Sequence, residues 1–406
     1  HGRRRVLMGG LSFFSRYFIM DAPRRDSMNA SIQALPTPAL LLDLDVLEAN
    51  LERMARKAAG LGVALRPHIK THKCVEVAER QRALGVSGLT VSTLHEARVF
   101  ADHGFDDLTW AFPVILSRLD EVRELAGRVT LRLVVDSREA LQALEGLGVS
   151  GMPLHVWLKV DCGYHRAGVD PESPEALELA RALAGSRTLR FDGLLSHSGH
   201  AYKGKDREEI GAVAEQERRV MAGFAASLRE QGIDVPGVSV GSTPAMSVVE
   251  SLDGVTEARP GNYAFYDFMQ VGLGSCEARD CAVTVLSSVV SHRTGEDFCV
   301  VDAGALALSK DTRLDAAQAA DTADTAGGRP AGYGEVFEDY AAGTLSADAR
   351  LVNLSQEHGI LSAPLPVGSR VRILPYHSCL TVAQFDEYHV VRGHELVDRW
   401  KIWRGR

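Results

Sequence analysis

ALLLDLDVLEANLERMARKAAG, residues 39–60, sets the beat on which the rest of the chain is read. A short apolar run ends in Asp, and then Leu47, Leu51, Met54 and Ala58 recur at helical spacing until Gly60 stops them. That is a strand followed by an amphipathic helix. The unit returns as ALRPHIK then VEVAERQRALG, GLTVST then LHEARVFADHG, DLTWAFPV then RLDEVRELAG, and VTLRLVVD then SREALQALEGLG. It continues as LHVWLKVD then PEALELARALAG, FDGLLSHSG then a long helix from Arg207, and GVSVGST then PAMSVVESL. This repetition over 39–270 predicts an α/β chain built on a parallel (β/α)8 TIM-like barrel rather than an open doubly wound sheet. Such a barrel keeps its active site at the C-terminal ends of its strands, where polar and Gly-rich residues gather here.

After about residue 280 the period changes. AVTVLSSVVSHR, DFCVVDAG, ARLVNLSQEHG, SRVRILPY and EYHVVRGHELVDRWKIW are strand-like runs parted by turns, which predict a smaller all-β domain. The expected division is a barrel over 35–275 and a β domain over 276–406. The Ala/Asp/Thr/Gly-rich stretch 314–332 suits an exposed loop. Residues 1–34, with Met20 and Met28 internal, read as a disordered leader or expression remnant. Arg16 breaks their apolar stretch, so neither a signal-peptide core nor a membrane span is expected.

The bulk composition narrows the partners. At 406 residues the chain is too long for one ordinary core. Its net charge of −8 arises from acidic and basic residues mixed along the chain, with no dense basic block for a phosphate backbone. Nucleic acid and membrane are therefore not expected partners. Six cysteines without CxxC pairs read as reduced thiols in a cytoplasmic protein.

Two clusters carry chemistry. RPHIKTHK (66–73) gathers Arg66, His68, Lys70, His72 and Lys73 at one strand end, and neighbouring cations favour the neutral, nucleophilic amine a Schiff base requires. HSC (377–379), read as a strand, would point His377 and Cys379 to one face and let them share an ion. Imidazole with thiolate favours zinc over magnesium or manganese.

These stretches, with TPALLLDLD, DCGYHRAGV, SHSGHAY, GSTPA, PGNYAFYD, DAGALALSKD, SQEHG and PYHSCLT, resemble the D-serine dehydratase and D-threonine aldolase family from Thr37 to Trp403. Those enzymes are fold III pyridoxal-phosphate relatives of alanine racemase. The resemblance implies a pyridoxal 5'-phosphate Schiff base on Lys70, His197 against the pyridine ring, and Arg166 near the phenolic oxygen. It implies a phosphate cradle of Gly241, Ser242, Thr243, Gly261, Asn262 and Tyr263, with Tyr202 also at the cofactor. Glycine turns and hydroxyls suit that role, because they bring donors close to phosphate oxygens. ARPGNY resembles the alanine racemase motif, which places Arg259 at the pyridine nitrogen. His377 and Cys379 match the family's metal ligands, for Zn2+ or another divalent ion such as Mn2+. The implied activity is dehydration of a D-β-hydroxy amino acid, first D-serine to pyruvate and ammonia, by a homodimer. The alternatives are retro-aldol cleavage of D-threonine, reaction on D-3-hydroxyaspartate, or non-catalytic pyridoxal-phosphate binding.

Overall fold

The computed structural model describes residues 31–86, 88–147, 153–312 and 332–406. Strand β1 (Ala39–Asp43) precedes a helix Leu44–Gly60, whose first turn is capped by Asp43 accepting the backbone N–H groups of Asp45 and Val46. That helix buries Leu44, Leu47, Asn50, Leu51, Met54 and Ala58, the stripe its spacing predicts.

Eight parallel strands follow: β2 (Ala64–Leu65), β3 (Leu89–Val91), β4 (Asp107–Pro113), β5 (Thr130–Val135), β6 (Leu154–Lys159), β7 (Leu189–Leu195), β8 (Gly237–Val240) and β9 (Glu257–Ala258). Their order is β2-β9-β8-β7-β6-β5-β4-β3, and a parallel bridge between His68 and Thr90 joins the two ends. Helices such as Pro174–Gly185, with Ser173 as cap and Pro at its start, cover the outside. The (β/α)8 TIM-like reading is therefore borne out, with one strand exchanged for another. β1 leaves the barrel: all five residues are buried, and they pair with the β domain. A run buried on both faces needs a neighbour on each side, and periodicity does not say which sheet supplies it. The two-residue β9, too short to read as a strand, completes the eight.

The second part contains β10 (Val283–Ser291), β11 (Cys299–Val301), β12 (Gly334–Asp339), β13 (Thr344–Leu354), β14 (Gly359–Leu361), β15 (Arg370–Pro375), β16 (Glu387–Arg392) and β17 (Glu395–Lys401). β10, β15, β12, β13, β14 and β11 close antiparallel on themselves, and β1, β16 and β17 extend from β10. This is the expected all-β domain. Of the predicted leader, residues 1–30 lie outside the described residues. Ile32, in a short turn Ile32–Ala34, instead packs with Leu35, Leu41, Leu286, Val391 and Leu396. The expected loop 314–332 lies outside the described residues except for Gly332.

Candidate active site

The barrel's C-terminal strand ends and the short helix Ser378–Val382 of the β domain meet around Lys70. Lys70 sits on a single turn, Ile69–Thr71, directly after β2, and is exposed. The cation cluster around it is dispersed. Arg66 turns into the barrel and pairs with Glu257 at 2.6 Å and Asp107 at 2.7 Å. His72 is fully buried, with Nδ1 accepting the Cys74 N–H at 3.1 Å, and Lys73 pairs with Glu96. Of the five residues grouped by sequence, His68 stays beside Lys70, its Nδ1 3.4 Å from the Lys70 backbone nitrogen. Desolvation, then the charge of Lys70, holds both His68 and His197 well below the ordinary histidine value, so both rings are neutral.

His197 follows β7, with Nδ1 3.4 Å from the Gly241 carbonyl. Arg166 lies on the loop after β6, exposed, its guanidinium 5.0 Å from the centre of the Tyr164 ring. Tyr164 in turn meets His197 edge-on at 6.1 Å. Arg259, after β9, is buried and donates to Ser239 Oγ and the Ser196 carbonyl. Burial lowers its pKa, and its charge joins burial in pushing Lys159, at the end of β6, down to about 8.

The two expected cradle loops do adjoin. Thr243 Oγ1 accepts the Tyr263 N–H at 3.1 Å, and a Cβ on Gly261 would lie 2.7 Å from the His68 carbonyl. Glycine at 261 thus lets that loop rest against the lysine turn. The glycine turns, with Ser242 and Thr243, fit a phosphate. Two expected members point elsewhere. The Tyr263 ring is buried with its hydroxyl accepting from Gln81 at 3.0 Å, and the Asn262 amide donates to Asp267 at 2.7 Å and Ser378 at 3.0 Å. Only their backbones face the cradle. Burial, then the negative charges of Cys379 and Asp267, raises the Tyr202 hydroxyl and keeps it protonated.

His377 and Cys379 come together, but not as neighbours on a strand: His377 caps the helix Ser378–Val382 and Cys379 lies in its first turn. His377 Nδ1 is 2.6 Å from Asp311 Oδ2, and Cys379 Sγ is 3.2 Å from Thr71 Oγ1. Burial opposes the imidazolium, yet the Cys379 thiolate and Asp311 hold His377 well above its ordinary value. Burial likewise opposes the thiolate, and His377 with Lys70 brings Cys379 below its ordinary value. A charged soft donor and an imidazole suit zinc. Among the described residues no three His, Cys, Asp or Glu side chains group around an ion, so this pair would leave positions open.

Sequence reading missed Asp311, Thr71, Lys159 and Asp267. Asp267 is fully buried and accepts from Asn262, from the Ser378 N–H at 2.9 Å and from the Ser378 hydroxyl, pinning the helix Ser378–Val382 to the loop that carries Asn262. Thr71, Asp267 and Asp311 stand inside motifs quoted for the resemblance and Lys159 just before one, where a polar or charged residue next to an apolar run was the available signal.

Residues 42–267 match the family described as "Alanine racemase, N-terminal domain", and residues 282–391 match "Putative serine dehydratase domain". D-threo-3-hydroxyaspartate dehydratase of Delftia sp. (strain HT23) is 38% identical over 93% of this chain and 100% of its own. Its solved structure superposes with a TM-score of 0.85 over 93% of this chain and 100% of that one, at 37% identity. D-serine dehydratase of Dictyostelium discoideum is 33% identical over 92% of this chain and 98% of its own. The chain belongs to the D-serine dehydratase and D-threonine aldolase family. The aldolase branch is represented by D-threonine aldolase of Arthrobacter sp, 31% identical over 90% of this chain and 92% of its own. The family is one of fold III pyridoxal-phosphate-dependent lyases, and this chain is an enzyme of that class. No helix among the described residues is long and apolar enough to cross a membrane.

Proposed function

We propose that the enzyme removes water from a small D-amino acid carrying a β-hydroxyl, with pyridoxal phosphate on Lys70 and zinc on His377 and Cys379. D-serine, giving pyruvate and ammonia, is the first reading. One observation supports it: Cys379 Sγ lies 3.2 Å from Thr71 Oγ1, on the residue after Lys70, so the residues read as the ion's ligands stand beside the turn that carries the lysine. When bound, pyridoxal phosphate supplies an electron sink for charge at the substrate Cα, and the ion supplies Lewis acidity toward the β-hydroxyl. Lys70 Nζ is the group placed to take the Cα proton. Neutral His68 and His197 keep competing positive charge away from that amine. The Gly241–Thr243 and Gly261–Asn262 backbones bind the phosphate, Tyr202 closes the side toward Cys379, and Arg166 and Arg259 flank the ring. Loss of hydroxide with the Cα proton leaves an enamine, which water converts to keto acid and ammonia.

D-threo-3-hydroxyaspartate is the second reading, favoured by the 38% identical Delftia dehydratase. We further infer a homodimer, as fold III relatives form, and a cytosolic setting supported by six unpaired cysteines. The test is a coupled keto-acid and aldehyde assay on D-serine, D-threonine and D-threo-3-hydroxyaspartate, with and without chelator. Keto acid and ammonia should form, and chelation, His377→Ala or Cys379→Ala should abolish them while the cofactor absorbance persists. Glycine and an aldehyde would instead establish an aldolase; no turnover of any substrate would leave a non-catalytic binder. Elimination at the native rate in protein proved metal-free by elemental analysis would overturn the metal's role.

A further inference from the structure

Glu217 is buried, 1% exposed, on the helix Arg207–Glu230, in line with Ile210, Ala214, Met221 and Phe224 on its core face. An apolar residue would fill that position without desolvating a carboxylate. Its oxygens accept from neutral donors: Oε1 from the Ser196 hydroxyl at 2.7 Å, Oε2 from the Ser198 hydroxyl at 2.6 Å, with the Cys162 thiol at 3.9 Å. Ser196 and Ser198 are both fully buried and stand on either side of His197. The chain reverses sharply there. The Gly199 N–H donates to the His197 carbonyl at 3.0 Å and Ser198 has φ −81° and ψ 63°, an inverse γ-turn. A turn closed by one bent hydrogen bond has little stability of its own, so a second restraint is needed to hold the histidine at one angle.

We propose that Glu217 is a positioning residue that clamps both neighbours of His197 and so fixes its imidazole against the cofactor ring. The same clamp reaches Arg259, whose guanidinium donates to the Ser196 carbonyl and to Ser239 Oγ. One carboxylate on a peripheral helix therefore sets two groups that face the ring. The inference rests on the reading of His197 as the residue lying against that ring.

The experiment is a double-mutant cycle on the full-length enzyme: wild type, Glu217→Ala, His197→Ala and the pair together. Cofactor affinity is read by reconstituting the cofactor-free protein, geometry by circular dichroism of the cofactor band, and chemistry by kcat and KM. Loss of two hydrogen bonds to a carboxylate should weaken cofactor affinity about ten-fold or more and flatten the dichroic band. In the His197→Ala background the same substitution should change both far less, because only its route through Arg259 remains. Glu217→Gln keeps an acceptor and the side-chain shape and should recover most of the affinity. If the two effects multiply in the pair, Glu217 acts elsewhere and the proposal fails. If His197→Ala alone leaves affinity and dichroism unchanged, the reading of His197 fails and takes the proposal with it. Should Glu217→Ala not fold, Ser198→Ala removes one arm of the clamp without emptying the core; an effect of that variant that persists undiminished without His197 overturns the proposal equally.

Discussion

Asp311 decides which nitrogen of His377 can face an ion. A carboxylate can only accept, so at 2.6 Å it holds a proton on Nδ1 and leaves Nε2 for the ion proposed there. Asp311→Asn should lower zinc affinity by about 10–100-fold, read by competition with a chelating dye, with the fold unchanged by circular dichroism. Unaltered affinity would mean that something other than Asp311 orients the ring. Lys70, His377 and Cys379 could be singled out from sequence because each stands in a short local motif, and the fold brings those two motifs together. Asp311 could not be, because it lies 66 residues from its partner and only folding joins them. Glu217 did leave a trace. It occupies a core position in the apolar stripe of its helix, and a charge in such a stripe marks a buried partner. Asn262 and Tyr263 show the opposite error: the motif placed their backbones, while side-chain direction depended on Asp267 and Gln81 across the fold.

Strands and helices were legible where their period was long and hidden where it was short. The apolar runs of β5, β6 and β7 and the stripes of the outer helices could be read directly, whereas β9 has two residues and its barrel place follows from its neighbours. Likewise HSC reads as a strand, whereas a helix starts there, with Asp267 accepting the Ser378 N–H from across the fold. The barrel wall offers a sharp test of packing at Gly193. Its φ is +121°, and a Cβ there would fall 1.9 Å from the Gly237 carbonyl oxygen of the paired strand β8. Backbone strain and overpacking together should make Gly193→Ala cost roughly 2–5 kcal/mol in urea unfolding. Gly211, inside the helix Arg207–Glu230 with nothing within 4 Å of an added Cβ, is the control. There Gly→Ala should stabilise by about 0.5–1 kcal/mol through reduced chain entropy. Equal effects at both positions would show that local crowding in β7 is not what sets the cost.

At the scale of the molecule, the β domain grips the lysine turn at successive residues. Thr71 meets Cys379, the His72 carbonyl accepts from the Tyr388 hydroxyl at 2.7 Å, and the Lys73 carbonyl accepts the Trp403 N–H at 2.8 Å. His72 lies at the centre of this junction, edge-on to Phe100 and Phe265. Burial brings its pKa from the ordinary 6.5 to about 3. The unfolded chain therefore binds a proton below pH 6.5 that the folded chain refuses until about pH 3. Stability is fully present above 6.5 and is lost progressively as pH falls, at a slope on the order of 1.4 kcal/mol per pH unit for one such histidine. Carboxylates act later. Burial alone would raise Asp107, but Arg132 and Arg66 hold it at about 2, so its contribution is lost only below its ordinary value of 3.8. Urea midpoints measured from pH 7 to pH 5 should thus decline above the range in which Asp107 acts, and cofactor release should follow them, because the weakened junction holds Lys70. His72→Asn keeps an acceptor for the Cys74 N–H but cannot titrate, so it should make the decline in that window shallower, with His68 and His197 supplying the remainder. A wild-type midpoint that stays level from pH 6.5 to pH 5 would show that His72 does not link acid to the joining of the two domains.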